Sequence, residues 1–216
     1  MIPSYNGEKT IGPIVKEIRK RGLDVIVIDD GSTDRTEKIA SENGALVMRH
    51  AENMGKGASL KHGFDYILRG TNFEAVIIMD GDGQHDPGDI EKFITHAEEE
   101  DGDIIVGNRM HNVENMPFVR LATNKFMSAV LSAMCRQSIP DTQCGFRLIR
   151  RKTLKELKLD SDKYDLESEI LIKASRKRLR IESVPIETIY RGESSEIDPV
   201  KDTIRFACLI IKSYFK

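Results

Sequence analysis

The stretch Val76-Ile77-Ile78-Met79-Asp80-Gly81-Asp82-Gly83-Gln84-His85-Asp86-Pro87 decides how this chain is expected to fold. It begins with four apolar residues, most of them β-branched, which is the pattern of a buried strand. Two carboxylates follow at once, and Asp86-Pro87 has the form of a helix N-cap with a first-turn proline. The stretch therefore predicts a strand, an acidic turn and a helix. Open α/β sheets bind their ligands beyond the carboxyl ends of such strands.

The acidic turn is a candidate metal site. Asp80 and Asp82 are separated by one glycine, which lets the chain bend so that both carboxylates face one point. Carboxylate oxygens suit Mg²⁺ or Mn²⁺, cations that usually also hold substrate phosphates. Gln84 and His85 add polar groups to the same loop. A lone Asp-Gly-Asp is more often a solvated turn, and the second acidic strand end, Asp29-Asp30, is what favours the metal interpretation.

The elements before residue 110 alternate between strand and helix patterns. Such alternation predicts an α/β fold with a largely parallel sheet and right-handed crossovers. A strand before Tyr5 would be almost absent, so we expect the chain to begin inside it. The predicted strands cover 24–30, 45–48, 76–79 and 103–107, and the predicted helices cover 10–21 and the segments after 34, 57 and 87.

A glycine-rich loop with a lysine, Asn53-Met54-Gly55-Lys56-Gly57, precedes one of these helices. Backbone N–H groups at a helix N-terminus attract anions, so the loop is a candidate phosphate site. It is not a P-loop, because the spacing differs and no Ser or Thr follows the lysine. A plain turn at the start of a helix is the alternative.

The second half of the chain breaks the alternating pattern. A mostly helical segment (119–134) is followed by a polar loop, Asp141 to Arg147, and by a second helix after residue 164. The segment 181–189 resembles a strand whose Pro185 favours a sheet edge. From Val200 onward, cations and apolar residues lie on opposite faces of a predicted helix. That helix suits either a membrane surface or a docking site on the same domain.

Composition narrows the class of protein. A chain of 216 residues is long enough for one α/β domain with a substantial core, and its net charge of −2 gives no support to nucleic-acid binding. Three cysteines show neither disulfide nor metal-ligand spacing, so we expect reduced thiols in a cytoplasmic protein. No apolar run has the length of a membrane span, and no signal peptide is visible.

Five motifs stand in order along the chain: the loop at 3–6, the acidic strand end at 29–34, the glycine-rich loop at 53–57, the acidic turn at 80–85 and the polar loop at 141–147. Together they resemble family 2 glycosyltransferases of the GT-A fold, and within them the dolichyl-phosphate mannose and glucose synthases and their prokaryotic relatives. The resemblance implies a Rossmann-like, mostly parallel sheet sandwiched by helices. It implies one catalytic domain (1–216), with a nucleotide-sugar half (1–110) and an acceptor half (111–216) that ends in the amphipathic helix. The motifs are Pro3-Ser4-Tyr5-Asn6, Asp29-Asp30-Gly31-Ser32-Thr33-Asp34, Asn53-Met54-Gly55-Lys56-Gly57, Asp80-Gly81-Asp82-Gly83-Gln84-His85 and Asp141-Thr142-Gln143-Cys144-Gly145-Phe146-Arg147.

The resemblance also implies roles for individual residues. Arg109 and Arg147 would meet phosphate, and a loop with Arg191 and Ser195 would close over the donor. The implied metal ligands for Mg²⁺ or Mn²⁺ are Asp80, Asp82 and Gln84. The implied catalytic residues are Asp82, Asp141, Arg147 and Glu169. The implied nucleotide-sugar pocket consists of Pro3, Tyr5, Glu8, Asp29, Asp30, Lys56, Asp80, Gly81, Arg109, Arg191 and Ser195.

The implied reaction is a single inverting displacement. It would move a hexose, mannose or glucose, from a GDP- or UDP-hexose to a polyprenyl or dolichyl phosphate at the membrane face. A phosphate acceptor is already anionic, whereas a glycan or protein hydroxyl would need a general base, for which Asp141, Glu167 and Glu169 are candidates. A non-catalytic sugar-nucleotide-binding module is a further alternative. A phosphohydrolase is a less favoured alternative, since it would require an aspartate that acts as a nucleophile.

Two positions depart from the family pattern. Gly7 stands where the family usually has a glutamate after Pro-x-Tyr-Asn, and only Glu8 can substitute. Ser195-Glu196 stands where relatives often carry Ser-Lys, so an acid replaces a phosphate-binding lysine. Both changes are what would favour the non-catalytic alternative.

Overall fold

The structure is a computed structural model that describes residues 1–70, 72–113, 116–160 and 165–189. Helices and strands alternate through most of these ranges, as the sequence predicts. In chain order the elements are β1 (Ile2–Ser4), α1 (Ile11–Arg19), β2 (Ile26–Asp29), α2 (Thr36–Glu42), β3 (Leu46–Arg49), α3 (Lys56–Gly70), β4 (Ala75–Ile78), a 3-10 helix (Pro87–Asp89), α4 (Ile90–Glu99), β5 (Ile104–Asn108), α5 (Phe118–Cys135), β6 (Arg147–Arg150), α6 (Arg151–Glu156), α7 (Asp165–Arg176) and β7 (Ile181–Pro185).

The strands form two sheets that meet at the start of the chain. One sheet is parallel and has the order β1-β2-β3, and the other has the order β4-β6-β5-β7. In the second sheet β6 runs antiparallel to both neighbours, and β5 and β7 are parallel. The Met1 amine donates to the Ile77 carbonyl (2.7 Å) and Met79 N donates to the Met1 carbonyl (3.1 Å), which joins β1 to β4. The predicted mostly parallel α/β architecture is confirmed, with β6 as its antiparallel member.

Two expectations about strands need correction. We expected the first strand to be almost absent, but β1 pairs with β2 over its three residues, from Ile2 opposite Val27 to Ser4 opposite Asp29. We expected β4 to be buried throughout, but Ile77 is only half-buried while Val76 and Ile78 are buried. The expected edge position of Pro185 is confirmed, since β7 is the last strand in the described order.

The core lies on both faces of the sheet. β2 is buried at every position, which explains its continuous apolar sequence. Phe93 of α4 packs against Phe146, just before β6, with ring centroids 4.5 Å apart. Leu60 of α3 and Leu171 of α7 are both fully buried. Helices therefore cover the sheet on its two sides and hold the strand ends in place.

The predicted start of the helix after the acidic turn is confirmed. The Asp86 side chain accepts a hydrogen bond from Gly88 N (2.8 Å), and Pro87 opens a 3-10 helix that continues into α4. This cap fixes where the chain leaves the acidic turn.

Some predictions fall on residues that the structure does not describe. The loop with Arg191, Ser195 and Glu196 and the amphipathic helix after Val200 lie outside the described ranges. Across those ranges, the helices are all too short or too polar to span a bilayer. Two of the three cysteines, Cys135 and Cys144, are described, and both are free thiols in the interior.

Candidate functional site

The loops that follow β1, β2 and β4 meet at one edge of the sheet, because these neighbouring strands run parallel and end at the same side. Thr10 Oγ1 donates to the Gly81 carbonyl at 2.6 Å, which ties the acidic turn to the start of α1. A Cβ at Gly81 would lie 3.2 Å from the Pro3 carbonyl oxygen. Pro3 and Gly81, both predicted to line the donor pocket, are therefore neighbours.

The loop after β1 is held by the loop after β2. Asn6 N donates to Ser32 Oγ (2.9 Å), Thr33 N donates to Asn6 Oδ1 (2.9 Å), and Gly7 N donates to Thr36 Oγ1 (2.8 Å). Tyr5, in the first of these two hydrogen-bonded loops, is 50% exposed. Tyr5 is thus exposed at the surface of the site, and its contact with a nucleotide stays a prediction.

Glu8 has a local partner. Its carboxylate accepts from Arg35 Nε at 3.2 Å, beside the start of α2. The carboxylate that was expected to substitute for the missing acid at position 7 is thus placed next to a cation of this chain.

Asp29 and Asp30 shape loops. Asp29 Oδ1 accepts from Ser32 N (3.0 Å), and its Oδ2 lies 3.4 Å from Arg49 Nη1. Asp30 accepts from Met54 N (2.9 Å) and Gly55 N (2.8 Å), and its Oδ1 lies 2.7 Å from His50 Nδ1. Both carboxylates are buried. The structure therefore shows Asp30 holding the glycine-rich loop, a role that the sequence did not predict.

The pKa of Asp30 is lowered from its ordinary value. Burial would raise that pKa, but the hydrogen bonds from His50 and from the backbone of Met54 and Gly55 favour the charged form and outweigh it. Asp30 is thus held as a carboxylate at the base of the loop.

The glycine-rich loop delivers Lys56 to the acidic turn. Gly55 has a φ of 95°, which a glycine adopts at no steric cost, and Lys56 is the next residue and the first of α3. Lys56 Nζ lies 2.5 Å from Asp80 Oδ1 and 3.2 Å from Glu167 Oε1. The side chains of Lys56, Asp80 and Glu167 are 15%, 25% and 15% exposed. Three segments far apart in sequence therefore meet at one largely enclosed ammonium.

The charges in this cluster stabilise one another. Burial would lower the pKa of Lys56, but the carboxylates of Asp80 and Glu167 raise it above its ordinary value. Burial would raise the pKa of Asp80, but Lys56 and His85 lower it well below its ordinary value. Lys56 and Asp80 are thus an ion pair at neutral pH.

Asp80 is also enclosed by the loop between α5 and β6. A Cβ at Gly145 would overlap the Asp80 carboxylate, so any other residue there would displace that carboxylate. His85 Nε2 lies 3.9 Å from Asp80 Oδ2, and its ring packs on Phe146. The sequence motif at 141–147 is therefore in direct contact with the motif at 80–85.

Asp82 and Gln84 complete the acidic turn. Asp82 is exposed, and its Oδ1 accepts from Gln84 N at 2.9 Å. Gln84 Oε1 lies 3.5 Å from Arg120 Nη2 of α5. Two carboxylates and an amide oxygen are hard donors that fit Mg²⁺ or Mn²⁺. No cluster of three or more His, Cys, Asp or Glu suited to a metal occurs in the described ranges, so a cation here would also need oxygens from a bound ligand.

Arg109 and Asp141 form a buried pair. Arg109 Nε and Nη2 donate to the two oxygens of Asp141 at 2.7 and 2.9 Å, and Arg109 N adds a third bond at 3.2 Å. The guanidinium follows β5 and the carboxylate opens the polar loop, which is why these two segments stay together. Each group was predicted to act on substrate, and in the structure each is bound by the other.

Arg147 differs from its expected role. Its side chain donates to the carbonyls of Cys144 (2.7 Å), Glu167 (2.7 Å) and Thr142 (2.8 Å), and the residue is 1% exposed. We expected this guanidinium to meet a phosphate. In the structure it holds the loop that encloses Asp80, because three carbonyls use its donors.

The remaining predicted catalytic residue, Glu169, lies on α7. Its Oε1 accepts from Asp160 N (2.9 Å) and lies 2.6 Å from Lys173 Nζ. These contacts hold α7 against the segment that precedes it, whereas Glu167, two residues earlier, reaches Lys56. Glu169 is therefore placed as a buried helix carboxylate paired with a cation.

Three residues of the site were not singled out from the sequence. Thr10 holds Gly81, Gly145 makes room for Asp80, and Arg120 approaches Gln84. Arg120 had a visible signal, since it is a lone cation among the apolar residues that begin α5. Thr10 had none, because its contact lies 71 residues away along the chain. Gly145 was visible only as part of the motif at 141–147, since its contact with Asp80 lies 65 residues away.

The acidic turn is also bonded to the segment that leads into the undescribed loop. Ile189 N donates to the Gln84 carbonyl (2.9 Å), and Thr188 pairs with His85 in an isolated bridge. The last described residues, 188 and 189, are therefore held against the acidic turn.

Comparison with known proteins identifies the family of this chain. The model of glycosyl transferase family 2 matches residues 1–158. The UDP-N-acetylglucosamine–dolichyl-phosphate N-acetylglucosaminyltransferase of Methanococcus voltae is 31% identical over 213 residues, which cover 88% of this chain and 84% of that protein. The polyprenol monophosphomannose synthase of Mycolicibacterium smegmatis is 28% identical over 200 residues, which cover 86% of this chain and 75% of that protein.

A solved structure shows the same fold. Glucosyl-3-phosphoglycerate synthase from Mycobacterium tuberculosis, crystallised with Mn²⁺, UDP-glucose and phosphoglyceric acid, superposes with a TM-score of 0.75 at 21% identity. The match covers 98% of this chain and 77% of the mycobacterial chain. The GT-A fold that the motifs predict is thereby confirmed. The family model that matches residues 1–158 and the relative at 31% identity show that the chain belongs to glycosyl transferase family 2.

Proposed function

We propose that this protein is an inverting glycosyltransferase that moves a hexose from a nucleotide-diphosphate sugar to a polyprenyl phosphate. The choice of a phosphate acceptor rests on one observation: each of the three candidate bases is paired with a cation of this chain. Asp141 is bound by Arg109, Glu167 by Lys56 and Glu169 by Lys173. A carboxylate paired with a cation is a poor proton acceptor, whereas a phosphate acceptor is already anionic and needs no base.

The donor would lie over the ends of β1, β2 and β4. Tyr5 offers an exposed ring for the nucleotide, and Lys56 stands at the N-terminus of α3, where an anion is favoured. Asp80, Asp82 and Gln84 would hold Mg²⁺ or Mn²⁺, which when bound neutralises charge on the leaving nucleoside diphosphate. Arg191 and Ser195 remain predicted donor contacts.

The roles of the enclosed residues follow from their contacts. Arg147 and Gly145 position Asp80, and Asp30 positions the loop that carries Lys56. The Arg109–Asp141 pair fixes the polar loop against β5. Because these groups are held before any substrate arrives, little reorganisation would be needed when charge develops on the diphosphate.

A lipid-borne acceptor suits the surface beside the site. Phe118, Val119 and Phe126 of α5 are 81%, 59% and 60% exposed, and Lys125 lies among them on the helix. The same helix carries Arg120 to Gln84. An exposed apolar helix face with a cation favours a membrane surface. We therefore place the enzyme peripherally on the cytoplasmic face of a membrane, and the Methanococcus voltae relative, whose name includes dolichyl phosphate, supports this acceptor class.

The first test is calorimetric titration with UDP and with GDP, each with and without Mn²⁺. We expect metal-dependent binding of one nucleotide, which also identifies the base. Turnover is then measured with UDP-glucose, UDP-N-acetylglucosamine and GDP-mannose, using a short polyprenyl phosphate in detergent, the matching polyprenol and a soluble glycan. Transfer to the phosphate alone is expected. Transfer to a hydroxyl acceptor would overturn the choice of acceptor, and absence of nucleotide binding would overturn the donor site. Nucleotide binding without transfer to any acceptor would favour a non-catalytic module.

The metal site has its own variant. Asp82→Ala should change the unfolding free energy by only about 0.5–1 kcal/mol, because the exposed carboxylate makes a single backbone hydrogen bond. It should nearly abolish turnover, since the diphosphate loses its counter-charge. Asp65→Ala removes an exposed carboxylate of α3 and serves as the matched control with unchanged turnover. If the Asp82→Ala variant turns over at the wild-type rate in the presence of Mg²⁺ or Mn²⁺, the metal assignment is wrong.

A further inference from the structure

Lys56 occupies one oxygen of Asp80, since its Nζ lies 2.5 Å from Oδ1. Its ammonium contacts Asp80 and Glu167, and both partners are largely enclosed. Asp80 is one of the two carboxylates that we assign to the metal. One positive charge of the chain is therefore already in contact with a predicted metal ligand.

The backbone that carries Lys56 is held firmly, whereas its side chain can move. Asp30 accepts hydrogen bonds from Met54 N and Gly55 N, directly before the start of α3. The lysine itself is a point charge on a flexible four-carbon stem, so the ammonium can exchange one anion for another without a change of fold. Glu167 lies beside it and keeps the ammonium close to the site in either position.

We propose that Lys56 is the resting counter-ion of Asp80 and prevents the acidic turn from binding a divalent cation alone, so that the cation and the nucleoside diphosphate bind together. This inference rests on the proposed function. An ammonium against Asp80 repels a second cation and neutralises one of its ligands. The diphosphate brings oxygens that attract both positive charges, so Lys56 gains a new anionic partner as the cation takes Asp80. Glu167 is then the anchor of Lys56 and a positioning residue.

The test compares the affinity for Mn²⁺ in the absence and presence of UDP and of GDP. The affinity is measured by calorimetry and by the electron paramagnetic resonance spectrum of free Mn²⁺. Wild-type protein should bind Mn²⁺ at least about tenfold more weakly without nucleotide than with it. Lys56→Met should bind Mn²⁺ alone at least about tenfold more tightly than wild type, because the repelling charge is gone. The same variant should bind the nucleotide more weakly, since the diphosphate loses a cationic partner.

Two further variants make the test decisive. Lys173→Met is the matched control, because Lys173 also pairs with two carboxylates, Asp160 and Glu169, and it should leave Mn²⁺ affinity unchanged. Lys56→Gln keeps a hydrogen-bond donor for Asp80 and replaces Lys56→Met if that variant does not fold. It should show the same gain in Mn²⁺ affinity.

Failure of this inference differs from failure of the proposed function. If wild-type protein binds no Mn²⁺ with either nucleotide, the metal site itself is wrong. If nucleotide strengthens Mn²⁺ binding but the Lys56 variants bind Mn²⁺ alone no more tightly than wild type, only the counter-ion role is overturned. Equal Mn²⁺ affinity of wild type with and without nucleotide would also overturn it.

Discussion

Asp141→Asn should cost about 3–5 kcal/mol of unfolding free energy, because it leaves the Arg109 guanidinium buried without its counter-charge. Asp141 is fully buried and Arg109 nearly so. Two side-chain hydrogen bonds of 2.7 and 2.9 Å join the groups, and the backbone N–H of Arg109 donates to the same carboxylate. An amide keeps the shape of the side chain but not its charge, so the loss reports the charge pair rather than a cavity.

Removing both charges should cost much less than the two single changes together. In Arg109→Met/Asp141→Leu no buried charge is left unpaired, and apolar replacements of a buried ion pair are often close to neutral. The backbone N–H groups of Arg109 and Gln143 still lose an acceptor, at about 1 kcal/mol each. The cost of the double variant should therefore fall short of the summed costs of Asp141→Leu and Arg109→Met by at least about 2 kcal/mol.

Urea denaturation followed by circular dichroism measures these free energies by linear extrapolation. Asp65→Asn is the control, because its pair with Arg69 is exposed and should be worth less than about 0.5 kcal/mol. A cost below about 1 kcal/mol for Asp141→Asn, or additive costs in the double variant, would refute the reasoning. Either result would mean that the pair is solvated or that a neighbouring group takes over the charge.

Two further predictions concern the walls of the site. Gly145→Ala should weaken Mn²⁺-dependent nucleotide binding and lower thermal stability, because its Cβ would overlap the Asp80 carboxylate. Gly70→Ala is the control and should do neither, since its Cβ meets no atom within 4 Å. Calorimetry and thermal denaturation compare the two variants, and nucleotide binding as tight as that of the wild type in Gly145→Ala would contradict the geometry. The pKa of Asp30 is lowered in the fold, so its contribution to stability is complete above the ordinary value of 3.8 and is lost as the pH falls through the lower folded pKa. Urea denaturation between about pH 3 and pH 6 measures this effect. Below about pH 4 the free energy of unfolding should fall less steeply with decreasing pH for Asp30→Asn than for the wild type. Identical slopes would show that protonation of Asp30 is not coupled to unfolding.

Local pattern was enough to predict the elements that build the site. The apolar run at 76–79, the acids behind it and the Asp86-Pro87 cap predicted a strand, a turn and a helix, and the structure contains them in that order. These features depend on neighbours within a few residues, since burial of a strand, capping and turn chemistry are decided locally. The order of the motifs also identified the family, which the match over residues 1–158 confirms.

What local pattern did not predict was the partner of each charged side chain. Arg147 was expected to meet a phosphate, yet it has three backbone carbonyls within reach once the loop folds over Asp80. Asp30 was expected to meet a nucleotide, yet it holds the loop before Lys56. A charged side chain in a motif therefore suggests a ligand contact, because the protein donors and acceptors that packing brings near it are not visible in the local sequence.

The sequence by itself therefore determined the α/β class, the strand ends that carry the acids and the membership in family 2. The tertiary structure alone decided that Lys56 reaches Asp80 and Glu167, and that Arg109 closes on Asp141. The physical reason is range. Helix and strand patterns come from interactions between near neighbours, whereas the pairing of Arg109 with Asp141 joins residues 32 apart and exists only after the sheet has brought their segments together.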